Sequence, residues 1–252
     1  MISPRTVSVD DAASFVGIEP SEIHRYHEIG LLPEPALGSE GRRYGYDHMI
    51  RLLWIRAMTD AGIADNDIRA AFANLPNTDS PIAGGSAGHT VESILDLGLL
   101  SNVVTSRLIG LPEGSLRLTD LDTLLVTERI FGPLGAAIQA TRFIALATHP
   151  GLREDSLRVD AAESALDDTV TIDDPRVERV AAERHAFERM LNAVIEDSGL
   201  AKSDEALFDS WDALGLADEA QDTLGAMDAV AKMPYDFSPA RWRAMELAEA
   251  RD

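Results

Sequence analysis

The 252-residue sequence contains no cysteine. This absence excludes disulfides, thiolate metal sites, iron–sulfur clusters and cysteine nucleophiles. The sequence also has no long uninterrupted apolar run, since Gln139, Thr141 and Arg142 break its most apolar stretch, residues 133–148. No basic segment followed by an apolar core opens it. We therefore expect neither a secretion signal nor a membrane span.

Basic residues are scarce, because 22 lysines and arginines face 43 acids and the net charge is −21. Such a charge argues against a nucleic-acid partner, since affinity for phosphates comes from lysine and arginine. The acids are unevenly distributed, however. Residues 1–75 contain seven arginines, no lysine and eleven acids, a net charge of −4, and the rest of the chain carries −17. The acidic load therefore lies mostly outside the first 75 residues.

Composition predicts two folded parts. Apolar residues make up 45% and charged residues 26% of the sequence, as in soluble globular proteins. Residues 76–89 concentrate proline, glycine, serine and asparagine, which indicates a linker. We expect one domain at residues 1–75 and a second at residues 90–252. The second is rich in alanine, leucine and glutamate with little β-branched alternation, which predicts an all-helical domain.

The predicted fold class is mainly α. Predicted helices span residues 9–16, 20–28, 47–61, 65–75, 90–109, 119–147, 155–167, 174–198, 203–214, 217–231 and 239–250. Two apolar heptads in the helix at 174–198 allow a coiled-coil seam with a second copy or an internal helix of a bundle. Arg184 falls inside that seam, which favours the internal helix.

The first two helices form a predicted helix-turn-helix. Gly17 allows a tight turn between the helices at 9–16 and 20–28, and the second of these can enter a DNA major groove. A turn at 38–41 leads into a returning strand at 42–46, which predicts a small β-hairpin, or wing. We therefore expect a winged helix-turn-helix at the N-terminus.

Beyond the wing, Asp47 and Asp65 are the predicted N-caps of the next two helices. Four short motifs follow one another in this region: Ile-Gly-Leu-Leu-Pro at 29–33, Arg-Arg-Tyr at 42–44, Asp-Ala-Gly-Ile at 60–63 and Asp-Ile at 67–68. In this order and spacing, residues 7–75 resemble the MerR family of transcription regulators.

The resemblance, with the chemistry of the side chains, places the DNA contacts on the second helix and the wing. Arginine suits guanine edges and phosphates, and tyrosine hydroxyls can donate to phosphates. The predicted DNA-contacting residues are His24, Arg25, Tyr26, Arg42, Arg43 and Tyr44. Two positions depart from the family pattern, since His24 replaces an arginine and Gly41 replaces the wing's aromatic residue. Alternatively, Arg43 is a solvated surface charge, and Tyr26 or Tyr44 packs beneath the wing.

Aromatic residues become more frequent toward the end of the chain. Phe208, Trp211, Tyr235 and Trp242 lie among many acids there. They predict either a pocket for an aromatic or cationic effector, through stacking and cation–π attraction, or the core of the last helices.

The resemblance implies a cytoplasmic, nucleoid-associated regulator that binds palindromic double-stranded promoter DNA as a homodimer. In the family, the dimer distorts the promoter so that RNA polymerase can engage it, and an effector changes that distortion. We find no nucleophile motif, phosphate-binding loop or metal-ligand spacing, and His24 and His27 have no third ligand nearby. We therefore expect no enzyme, cofactor or metal. The alternative is a protein-interaction adaptor that binds DNA weakly, which low or salt-insensitive affinity would favour.

Overall fold

The computed structural model describes residues 5–35, 37–38, 41–74, 95, 97–213, 229 and 232–251. Over these residues the chain is mainly α-helical, as predicted. We refer to residues 5–74 as the N-terminal part and to residues 95–251 as the C-terminal part. The predicted linker at 76–89 lies outside the described residues, as does all but one residue of the predicted helix at 217–231.

The predicted helix pair is confirmed. Helix α1 (Val9–Val16) begins at Ser8, whose Oγ accepts a hydrogen bond from the Asp11 amide. It ends at Gly17, which has a φ of 81° and so takes the left-handed conformation that glycine tolerates best. Helix α2 (Pro20–Glu28) begins with proline in its first turn, where no backbone donor is lost.

The wing is present in a reduced form. Strand β1 (Leu37–Gly38) pairs antiparallel with β2 (Gly41–Arg42), with Leu37 opposite Arg42. The returning strand predicted at 42–46 is shorter than expected. After β2 the backbone of Tyr44 bonds only to that of Val7, at 2.9 Å in both directions, and a helix then begins at Tyr46.

Helices α3 (Tyr46–Asp60) and α4 (Asp65–Asn74) follow the wing. Both predicted caps were wrong by one position or more. Asp47 lies inside the first turn of α3, which begins after Gly45. At the start of α4 the carbonyl of Ala64 accepts the first backbone bonds, and the Asp65 carboxylate bonds elsewhere.

Six helices are described in the C-terminal part: α5 (Asn102–Leu108), α6 (Leu118–Thr148), α7 (Pro150–Ser164), α8 (Pro175–Asp197), α9 (Leu200–Ala213) and α10 (Pro239–Glu249). The single helix predicted at 90–109 was wrong in its described portion, because a turn at 97–98 precedes α5 and Gly98 has a φ of 64°. Helix α6 is kinked at Gly132, before Pro133.

One hydrophobic core continues from the N-terminal part into the C-terminal part. Helix α3 packs against α6, and the indole Nε1 of Trp54 donates to Asp122 at 2.7 Å across this contact. Helix α8 buries Val177, Val180 and Phe187 against α7, α10 and neighbouring helices, which confirms the internal bundle helix. Helix α6 is long and apolar enough to cross a membrane, but half of its most apolar window is buried inside the protein.

Candidate nucleic-acid interface

Helix α2 presents two of the predicted DNA-contacting side chains on its outer face. Its apolar side is buried in the core through Ile23, Tyr26 and His27. His24 is exposed, and the side chain of Arg25 is 43% exposed. The amphipathic pattern of the helix therefore separates an inner face from an outer face that can approach DNA.

Arg25 is held by an acid in the protein without DNA. Its Nη1 donates to Asp65 Oδ2 at 2.8 Å, so the carboxylate at the start of α4 neutralises the cation of α2. The guanidinium also lies 5.0 Å from the centre of the Tyr26 ring. The hydrogen bond from Arg25 to Asp65 raises the pKa of Arg25 above its ordinary value. A DNA phosphate would have to compete with Asp65 for this cation.

Arg42 at the wing has a similar arrangement. Its Nη2 lies 2.9 Å from Glu34 Oε2, and the arginine side chain remains 39% exposed. Because both groups are exposed to solvent, this ion pair is weak and a phosphate can replace the carboxylate. Arg25 and Arg42 are thus both accessible and both paired with an acid, and their contact with DNA stays a prediction.

Arg43, unlike Arg25 and Arg42, bonds to the backbone and not to an acid. It donates from Nη2 to the backbone oxygen of Thr6 at 2.9 Å and lines a cavity between the two parts of the chain. The alternative of a simply solvated charge does not describe this side chain, which is only half-exposed. DNA contact by Arg43 stays a prediction.

The tyrosines among the predicted contacts are buried. Tyr26 is 1% exposed and Tyr44 is 0% exposed, so the alternative of packing beneath the wing is the arrangement that the protein adopts without DNA. The Tyr44 hydroxyl lies 3.0 Å from His27 Nε2, and His27 Nδ1 lies 3.0 Å from the carbonyl oxygen of Leu32. A carbonyl only accepts, so Nδ1 donates to Leu32, and in the neutral ring Tyr44 donates to Nε2. This chain of hydrogen bonds fixes the wing to the end of α2.

A cavity of about 1120 Å³ separates the wing and the start of α3 from the C-terminal part. Three aromatic rings form a row along it. Tyr46 and Tyr235 have ring centres 5.7 Å apart, and Tyr235 and Phe237 stack at 5.3 Å. Of the four predicted effector residues only Tyr235 lines this cavity; Trp242 touches the row through Phe237, at 5.8 Å.

Phe208 and Trp211, the other predicted effector residues, lie on α9 and are not part of the cavity wall. The phenyl ring of Phe208 is exposed, and Trp211 is partly buried. Tyr235 and Trp242 therefore lie at the cavity and its aromatic row, whereas Phe208 and Trp211 lie on α9. The four residues do not line one cavity together, and effector binding by them stays a prediction.

The contact between α3 and α6 contains a carboxylate with an unusual acidity. Asp122 is 7% exposed, and its burial raises its pKa from 3.8 to about 6. The hydrogen bond from Trp54 lowers the pKa and nearby Asp120 and Asp47 raise it. Sequence patterns missed this group because an isolated aspartate in a helical segment gives no indication of burial.

Comparisons with known proteins bear on the N-terminal part. Residues 7–75 match the family of MerR HTH family regulatory proteins. The HTH-type transcriptional activator SoxR homolog of Chromobacterium violaceum is 31% identical over 78 residues, which are 31% of this chain and 53% of the relative. The chain thus spans about half the length of that relative. No solved structure matches the chain.

Proposed function

We propose, from the premise that residues 7–75 are a helix-turn-helix domain of the MerR family, that the protein is a sequence-specific transcription regulator. The observation that carries this proposal is the outer face of α2 and the wing, where His24, Arg25 and Arg42 are accessible. These side chains suit base edges and phosphates in and beside a major groove. The protein acts in the cytoplasm, on the nucleoid, and has no enzymatic activity of its own.

The protein binds its operator as a homodimer, and the operator is palindromic because two-fold protein symmetry requires matching half-sites. A single copy offers a narrow and weakly charged surface, with two arginines that are already partnered by Asp65 and Glu34. Two copies double the phosphate contacts. RNA polymerase at the same promoter is the partner whose access the bound dimer changes.

An effector bound to the C-terminal part modulates the regulator. The continuous core supports this coupling, since α3 of the DNA-binding part packs directly on α6. The cavity of about 1120 Å³ beside that contact is slightly larger than the usual range of ligand pockets, about 300–1,000 Å³.

The experiment that tests the regulator is selection from fragmented genomic DNA of the source organism at low and raised salt. Recovery of a few promoter fragments that share an inverted repeat is the expected result. Binding should weaken steeply with salt, with a log–log slope of about −4 if Arg25 and Arg42 of two subunits release counterions. Recovery at background level, or affinity that is insensitive to salt, would favour the adaptor alternative.

Replacement of Arg42 by alanine tests the wing. Because Arg42 is proposed to contact phosphates, Arg42→Ala should weaken binding to all operator variants by a similar factor and reduce the salt slope by about 2 per dimer. Fluorescence anisotropy over a salt series measures both effects. Arg158→Ala on α7 is the control, since Arg158 is 68% exposed and distant from the wing in the chain. Equal slopes for the Arg42→Ala variant and the wild type would remove Arg42 from the interface.

A further inference from the structure

The cavity between the wing and the C-terminal part combines two kinds of side chain. Its aromatic row consists of Tyr46 on α3 and Tyr235 and Phe237 before α10. Arg43 enters its lining from the wing side. The wall is therefore assembled from both parts of the chain, and a ligand in the cavity would contact both.

The aromatic row offers planar apolar surface to a ligand. Ring centres 5.3 to 5.8 Å apart join Tyr46, Tyr235, Phe237 and Trp242 in sequence, and Arg241 lies 4.2 Å from the centre of the Phe237 ring. Burial raises the pKa of both Tyr46 and Tyr235, so these hydroxyls stay neutral at physiological pH. A flat aromatic ligand can stack or pack edge-on against such rings.

The charges in the lining distinguish Arg43 from the other cations. Arg5 has Asp168 and Asp236 as partners, Arg117 bonds to Asp120, and Arg142 and Arg241 pair with acids of the bundle: Glu188 at 2.7 Å and Glu163 at 3.4 Å. Arg43 bonds only to the backbone and hydroxyl oxygens of Thr6, and among the described residues no carboxylate lies within 4.0 Å of it. Its Nη1 has no hydrogen-bond partner among the described residues.

We propose that this cavity binds a planar aromatic carboxylate, with its rings against Tyr235 and Phe237 and its carboxylate on Arg43. The acids that line the cavity are largely occupied, since Asp120, Asp160 and Asp236 each lie within 4.0 Å of an arginine. An anion therefore finds a guanidinium that no carboxylate compensates among the described residues, and such a group recognises a carboxylate through parallel hydrogen bonds.

The regulatory role of this ligand rests on the proposed function, whereas its binding to the cavity does not. Arg43 adjoins Arg42, so a ligand that holds Arg43 fixes the wing against the C-terminal part. The wing orientation, and with it the fit to both half-sites of an operator, then depends on the ligand. Such differential binding is the condition that an effector must meet.

The first test uses the unmodified full-length protein without DNA. Calorimetric titrations compare 2-naphthoate with two molecules of the same ring system, neutral 2-naphthamide and cationic 2-naphthylmethylamine, and benzoate and anthracene-2-carboxylate vary the ring number. We expect saturable binding of the two- and three-ring carboxylates, at least 10-fold tighter than that of the amide. Preference for the amine would overturn the proposal in favour of the exposed Asp47 carboxylate in the same lining. Absence of binding for all three carboxylates at millimolar concentration would also overturn it.

The second test places the ligand. Arg43→Gln should weaken carboxylate binding about 10-fold or more and leave amide binding unchanged, because a charged hydrogen bond is lost while the aromatic wall remains. Phe237→Leu should weaken both ligands. Arg158→Gln on α7 is the matched arginine control and should bind as the wild type does. A carboxylate affinity that Arg43→Gln leaves unchanged would overturn the site, even if the protein binds the ligand elsewhere.

Binding to DNA is measured separately, on the operator recovered from genomic fragments. Ligand binding without any operator binding would refute the proposed function and leave the cavity proposal standing. Operator binding without ligand binding would refute the cavity proposal and leave the proposed function standing.

Discussion

At the scale of single residues, the two arginines that are proposed to contact DNA are paired with neighbouring acids. Arg25 pairs with Asp65 and Arg42 with Glu34, at 2.8 and 2.9 Å. Sequence patterns predicted the arginines but not their partners, because Arg25 and Asp65 are 40 positions apart and lie on different helices. The net charge of −4 over residues 1–75 therefore includes acids that directly neutralise the proposed contacts.

Removal of the acid beside Arg25 should strengthen DNA binding. Asp65→Asn leaves the guanidinium with an uncharged partner and removes a negative charge near the proposed phosphate contacts, so we expect affinity to rise about 2- to 5-fold at low salt. Fluorescence anisotropy with operator DNA measures the change. Asp67→Asn is the control, since it removes the same charge from the first turn of α4 without a bond to Arg25. Equal gains for both variants would show that general charge, and not the Arg25 pair, sets the affinity.

The buried Asp122 predicts a pH dependence of stability. Its pKa is 3.8 in the unfolded chain and about 6 in the folded protein, so the folded protein binds this proton more tightly. The contribution of protonated Asp122 to the free energy of unfolding is complete below pH 3.8 and is lost as the pH rises through about 6. The loss is on the order of 3 kcal/mol in the free energy of unfolding.

Asp122→Asn isolates this effect, because the amide oxygen still accepts from Trp54 and carries no charge. The variant should be more stable than the wild type at pH 7.5, by about 3 kcal/mol at most, and equally stable near pH 4. Urea unfolding across this pH range measures the difference. Asp197→Asn, at an exposed carboxylate, should follow the wild-type curve. Parallel curves for Asp122→Asn and wild type would contradict a raised pKa at Asp122.

At the scale of elements, helices with clear caps and breakers could be predicted closely. Proline in the first turn and glycine after the last turn give α1 and α2 the bounds that the sequence predicted. The predicted helix at 119–147 likewise corresponds to α6, at Leu118–Thr148, but the sequence did not predict its kink. Gly132-Pro133 lies in a strongly apolar segment, where Gly132 leaves the helical conformation and the two halves of the helix meet at the kink. A glycine-proline pair that would end an isolated helix can thus be accommodated as a kink when tertiary contacts stabilise the helix on both sides.

The kink in α6 should depend on glycine. Gly132 has a φ of 74° and a ψ of 179°, a conformation that residues with a Cβ rarely adopt. Gly132→Ala should therefore lower the free energy of unfolding by about 1–3 kcal/mol. Chemical denaturation measures this value. Gly151→Ala in the first turn of α7 is the control, because that glycine has no positive φ and an added Cβ meets open space. A Gly132→Ala variant as stable as the control would mean that the kink does not require glycine.

At the scale of the whole molecule, charge and packing assign different tasks to the two parts. The excess of acids in the C-terminal part would repel DNA, which agrees with the proposal that binding takes place at α2 and the wing. The two parts nevertheless share a core. This continuity could not be predicted from the sequence, in which residues 76–89 have the composition of a linker. Contacts such as that of Trp54 with Asp122 join residues 68 positions apart, and no periodicity predicts them.

The shared core predicts that both parts unfold together. Trp54 is 3% exposed at the contact of α3 with α6, and the arginines Arg56 and Arg129 both donate to carbonyls near the end of α1, from α3 and from α6. Loss of either side would expose the other, so a single cooperative transition is expected. In a Trp211→Phe/Trp242→Phe variant, Trp54 fluorescence and far-UV circular dichroism should give the same midpoint temperature. In the complementary Trp54→Phe variant, the two remaining tryptophans should report the same coincidence of fluorescence and dichroism. A Trp54 transition several degrees below the dichroism midpoint would mean that the N-terminal part unfolds independently, and the structural coupling on which the proposed effector control depends would then be absent.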